Sequence, residues 1–197
     1  MSGRQIGHVP GGLSVDHSPP PVTMSRYFPH PAYAEDQPWA RTILTTHVET
    51  RAVTTGTIIG AGIFGIREAL ARFRATASSG AARTVSRPQL YLRATGRGTL
   101  WTAGLASVAL VGRMWGREDI EWKDRSWRLM ENEGQLETDD WTYGGMIAGL
   151  AATALFRRPV GWVTVVGSVG TGSVAGMLGY MGWRYGIHGG KYPKSET

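Results

Sequence analysis

Gly60, Gly62 and Gly65, in the stretch IIGAGIFG at residues 58–65, satisfy G-x-G-x-x-G. In a strand-to-helix turn that spacing brings backbone N–H groups against a pyrophosphate. The apolar residues 57–59 before it would serve as the strand. A dinucleotide site also needs an acidic residue about 20 positions on to hold the ribose, and none occurs between Glu68 and Glu118. Arg83 or Arg87 would suit a phosphorylated ribose, but no later segment alternates as the strands of a parallel sheet would. No glycine-rich run leads into Gly-Lys-Ser or Gly-Lys-Thr, so a Walker loop is excluded. No nucleotide or other cofactor is expected.

The remaining chemistry-bearing residues are dispersed. Cysteine is absent, which removes disulfides, thiolate metal sites and a cysteine nucleophile. His8, His17, His30, His47 and His188 show no i,i+4 spacing, and none is assigned a carboxylate partner, so no metal site is expected. Glu118, Asp119, Glu121, Asp124, Glu131, Glu133, Glu137, Asp139 and Asp140 interleave with Lys123, Arg125 and Arg128. Such polar surroundings promise no pocket for catalytic carboxylates. Glu68 follows Arg67 directly and reads as half of a local interfacial pair. No catalytic residue is expected.

The elements that would carry these residues are apolar. Runs at 52–66, 98–112, 141–156 and 160–183 are hydrophobic almost all round and end at charges, with no period-two alternation. Four helices are therefore predicted. A bilayer core needs about 20 helical residues. Three of the runs hold 15 or 16, so terminal arginines must snorkel if the helices are to cross. Trp101, Trp115, Trp141, Trp162 and Trp183 near the run ends resemble an interfacial belt. Residues 117–131 read as a further helix, either lying on the membrane or on a partner or solvated as a charged helix.

Residues 1–40 read as an extended or disordered proline-rich tail, 41–186 as the four-helix transmembrane domain, and 187–197 as a short polar tail. The fold class is thus an all-α membrane protein. The net charge of +6 would suggest nucleic acid in a soluble chain, but its distribution points elsewhere. Arginines 67, 72, 74, 83, 87, 93 and 97 face a single acid in the first connection, acids dominate 113–140, and the third connection holds Arg157 and Arg158 alone. Basic loops one and three alternate with an acidic loop two. The positive-inside rule then sends loops one and three to the matrix or cytoplasm and both termini to the opposite side. No nucleic-acid partner is expected.

The chain has 28 glycines, about twice the usual share. In lipid, small residues let helix backbones approach closely, and G-x-x-x-G puts two on one face. Gly56 with Gly60, Gly112 with Gly116, Gly145 with Gly149, and Gly172 with Gly176 supply one pair per run, with Ser168 extending the last. These residues are the predicted helix-packing site.

Four glycine-rich spans, basic loops one and three, and DDWTYGGMIAG entering the third span resemble the Tim-type inner-membrane translocase family. The motif residues are Asp139, Asp140, Trp141, Gly144, Gly145 and Gly149, and RYFPHPAYAEDQPW looks like that family's lead-in to its first span. The likeness covers roughly residues 26–185. Import channels of the family carry an Arg and, four later, an Asp ahead of G-G-x-x-x-G; here those positions are Glu133 and Glu137. The departure favours the branch that serves as an accessory subunit in the membrane arm of mitochondrial respiratory complex I, in its fungal form with an extended amino terminus.

That resemblance implies a noncatalytic subunit of the mitochondrial inner membrane, with both termini in the intermembrane space. Its partners would be other membrane-arm subunits and an anionic inner-membrane lipid such as cardiolipin, with arginines 72, 74, 83 and 87 as generic lipid contacts. The alternative is a component of an inner-membrane import translocase. A channel would be lined by Thr54, Thr55, Thr57, Ser168, Thr171 and Ser173. A soluble dinucleotide enzyme built on Gly60, Gly62 and Gly65 is the third possibility.

Overall fold

The computed structural model describes residues 23–24, 27–75, 87–155 and 160–190. Arg83, Arg157, Arg158 and most of both tails, including His8 and His17, lie outside the described residues.

Among the described residues the fold is all-α apart from one two-residue strand pairing. β1 (Thr23–Met24) and β2 (Pro29–His30) pair antiparallel, and a 3-10 turn at Ala34–Asp36 leads into the bundle. α1 spans Ala40–Ala75 without a break, about 54 Å at 1.5 Å per residue. It passes straight through Arg51 and Arg67, the charges that seemed to bound the first apolar run. α2 (Arg87–Met114) starts with Pro88 in its first turn, where a missing N–H removes no helical hydrogen bond. It stops at Gly116, whose φ of +68° is left-handed and reverses the chain.

α3 (Asp119–Met130) carries Asp119 and Glu121 in its first turn, where negative charge meets the positive end of the helix dipole. α4 (Glu133–Ala152) is capped by Asn132, whose Oδ1 accepts from the Gln135 N–H at 3.1 Å. A 3-10 turn at Thr153–Leu155 ends it. α5 (Trp162–Met181) continues into a π-helical turn at Gly182–Ile187.

α1 lies antiparallel along α2, α4 lies antiparallel along α5, and α2 joins the two pairs by packing parallel to α5. Consequently Ala75, Arg87, Leu155 and Trp162 gather at one end of the bundle. The amino-terminal lead-in, α3 and the π-helical turn gather at the other.

Its interior is the reverse of a soluble core. Among the described residues, seven hydrophobic side chains are buried against thirteen polar or charged ones, ten of them threonine or serine. Large apolar residues turn outward along the helices, among them Ile59, Ile63, Leu105, Val108, Ile147 and Leu178.

Four membrane-length helices were expected. Among the described residues only one helix, Trp162–Ile187, is long and apolar enough to cross a membrane by hydropathy. The reason is composition: α1 and α2 reach spanning length only by incorporating arginines and threonines, and the first two turns of α4 carry Glu133, Glu137, Asp139 and Asp140. Trp101 is also not at a helix end, because α2 begins eleven residues before the apolar run and puts it at the midpoint. Trp115 and Trp162 flank helix ends and are exposed; Trp141 and Trp183 stack at 6.0 Å.

Candidate functional site

The first seam joins α1 to α2. A Cβ on Gly56 would fall against the Gly98 carbonyl and Thr102 Oγ1, and one on Gly60 against Ala94 O and Thr95 Cα. Gly98 answers by facing Gly56 O and Gly60 N. With no side chain at these positions the two backbones touch, and threonines lock the register. Thr102 Oγ1 donates to Ala52 O at 2.7 Å, and Thr57 Oγ1 and Thr99 Oγ1 share a hydrogen bond of 2.9 Å.

The second seam joins α4 to α5. Gly145 and Gly149 meet Gly172, Gly176 and Ser168, backbone on backbone, while Gly176 reaches Trp141 O. Ser168 Oγ donates to Gly149 O at 2.7 Å. A third seam, which the sequence reading missed, joins α2 to α5: Gly96 faces Val163 O and Gly167 N, and Gly167 faces Leu92 O. Gly170 meets Thr57 and Thr99 together, so three helices converge there.

The predicted pair Gly112 and Gly116 is a correction. No atom lies within 4 Å of a Cβ built on either one, and Gly116 belongs to the turn beyond α2. The glycines of α2 that do make contact, Gly96 and Gly98, are two residues apart. They therefore point to opposite sides of the helix, where the i,i+4 search cannot see them. Thr95, Thr99 and Thr102, at spacings of four and three, were the signal available.

The same geometry disposes of the nucleotide fingerprint. Residues 57–65 are all interior to α1, so no strand-to-helix turn exists. Gly60 serves the first seam, and Gly62 and Gly65 look into open space. The hydroxyls considered as a channel lining are also occupied: Thr54 bonds Ser173 at 3.2 Å, Ser168 bonds α4, and Thr171 bonds Gly167 O. Thr55 alone of them is exposed.

An acid–base cluster closes the end of the bundle near the termini. Asp139 of α4, 9% exposed, receives Arg51 Nη2 at 2.5 Å on one oxygen and His47 Nδ1 at 2.9 Å on the other. Arg184, in the π-helical turn and 1% exposed, pairs with Glu137 at 3.6 Å. The histidines were expected to lack carboxylates, yet His47 finds Asp139, 92 residues on, and His30 finds Glu131 at 2.7 Å. Sequence distance hid both. Glu68 likewise pairs not with Arg67 but across to Arg87 of α2, at 4.0 Å.

The lead-in forms a strap over α3. Trp127 Nε1 donates to Pro31 O at 2.9 Å, Lys123 Nζ donates to Glu35 O at 2.9 Å, and the Gln37 side chain is buried. The helix expected at 117–131, read as lying on a membrane or a partner or as simply solvated, is present as α3. One face of α3 rests on its own chain, with Met130 and Ser126 buried and Arg41 of α1 over the Trp122 ring. Beneath the strap is a cavity of about 280 Å³ lined by Tyr27, Ile43, His47, Met130, Asp139 and Tyr143 among others. Asp139 in its wall pairs with both His47 and Arg51, so the cluster ties α4 to α1. Among the described residues no group of three His, Asp or Glu is placed to hold a metal ion. Compared with protein-family models, curated proteins and solved structures, the chain matches none.

Proposed function

We propose that this chain is a noncatalytic scaffold embedded in a membrane through α1, α2, α4 and α5, acting as an accessory subunit of the complex I membrane arm in the mitochondrial inner membrane. The observation that carries this reading is the inside-out composition of the bundle. Glycine and threonine fill its interior while isoleucine, leucine, valine and tryptophan face outward. In water so many exposed large apolar side chains would favour association or aggregation. Against lipid tails or neighbouring helices they cost nothing, and close backbone seams supply the cohesion.

The short apolar part of α4 suits a helix shielded by α5 and by neighbouring subunits, since contact with protein relaxes the length that lipid demands. The arginine-bearing ends of α1 and α2 belong on the matrix side by the positive-inside rule. The strap and the acid–base cluster then face the intermembrane space.

Two measurements test the reading. Alkaline carbonate extraction should leave the chain in the membrane pellet, and complex I purified from the same mitochondria should contain it in constant proportion. Release into the supernatant defeats membrane insertion. Retention together with copurification in a protein-import translocase defeats the respiratory assignment.

A further inference from the structure

At the arginine-bearing end of the bundle a cleft of about 480 Å³ opens between α1 and α2, within the size range of ligand pockets. Phe64 and Tyr91 form one wall, their rings edge to face at 5.6 Å. Gly65, also in the lining, adds no side chain, and no atom lies within 4 Å of where one would begin. Arg72 from α1 and Arg87 from α2 stand at the rim, both exposed. Arg87 Nε lies 4.0 Å from Glu68 Oε2, beyond direct hydrogen-bond distance, so guanidinium donors remain for a second acceptor. α2 also starts here, bringing the positive end of its dipole to the same rim. Among its described lining residues the cleft thus combines an apolar slot with two guanidinium groups and one carboxylate.

We infer that this cleft binds an anionic diacyl phospholipid, its phosphate between Arg72 and Arg87 and one acyl chain lying against Phe64, Gly65 and Tyr91. The inference rests on the membrane placement proposed above. It narrows a diffuse basic surface to one site with an apolar component, which a free anion would not use.

The test uses the full chain purified in detergent, stripped of lipid, and titrated with dioleoyl phosphatidylglycerol, dioleoyl phosphatidylcholine or inorganic phosphate, with bound lipid counted by native mass spectrometry. One tight phosphatidylglycerol is expected, with phosphatidylcholine at least tenfold weaker. Arg72→Gln with Arg87→Gln should weaken phosphatidylglycerol by about tenfold, from about 1 kcal/mol for each basic contact near an anionic surface, discounted for exposure. Gly65→Leu builds into open space and so preserves the fold, yet it should exclude the acyl chain and reduce binding at least as much. Equal affinity for the two lipids, full displacement by inorganic phosphate, or indifference to both sets of substitutions overturns the proposal. Carbonate extraction of the same variants separates the two readings: loss of the lipid with retention in the membrane is expected, and a wild-type chain that washes out sinks the membrane placement itself.

Discussion

Gly145 of α4 and Gly172 of α5 occupy each other's missing side chains: a Cβ on either would land on the carbonyl oxygen of the other. The contact is between two backbones, so neither helix can yield by rotating a side chain aside. Gly144, one residue earlier, faces open space.

Gly145→Val should therefore separate α4 from α5 and destabilise the bundle by about 2 kcal/mol or more, as overpacking of a close-packed contact does. The unfolding midpoint in detergent should fall by about 5 °C. Gly144→Val adds the same atoms on the open side and should change it little. Equal effects from the two substitutions would refute the seam.

Asp139 holds two bases from α1 at once. Asp139→Ala should cost about 3 kcal/mol, because it leaves Arg51 and His47 without their shared carboxylate. Glu133→Ala removes an exposed acid one turn and a half away and should fall within about 0.5 kcal/mol of wild type. In a double-mutant cycle, Arg51→Ala should lose most of its effect once Asp139 is gone. Additive costs would mean that the cluster is incidental.

The strap over α3 depends on the indole donor of Trp127. Trp127→Phe keeps a ring against His30, 5.5 Å away, but cannot donate to Pro31 O. The lost bond is worth about 1 kcal/mol, so residues 27–39 should open about fivefold more often and be cleaved correspondingly faster in limited proteolysis. Helix content by circular dichroism should not change.

A chain without native cysteine lends itself to single-cysteine labelling. Val108→Cys, at an outward position 72% exposed within α2, should resist a water-soluble maleimide in intact mitochondria while reacting once the membrane is dissolved. Phe73→Cys and Trp115→Cys, at opposite ends of the bundle, should be reached from opposite sides. If Val108→Cys reacts in intact organelles as readily as Trp115→Cys does once both membranes are opened to the reagent, α2 is not in lipid.

Four apolar runs without alternation were sufficient to find α1, α2, α4 and α5, because helical periodicity is local and glycine inside an apolar run has few explanations. Gly56 and Gly60, with Gly145, Gly149, Gly172 and Gly176, were legible for the same reason: i,i+4 spacing alone puts two residues on one face. Arg51 and Arg67 misled, since a charge ends a hydropathy run without ending a helix. Gly112 and Gly116 misled because spacing cannot report whether a helix has already stopped.

The amino-acid order thus determined the helices and the small residues able to bring them into contact, both being properties of neighbours along the chain. Only the tertiary structure decided that Gly96 and Gly98 serve opposite partners, that Asp139 gathers His47 and Arg51, and that Trp127 secures the lead-in. Those relations depend on the relative positions of whole helices across separations of tens of residues, and a one-dimensional pattern carries no such distance.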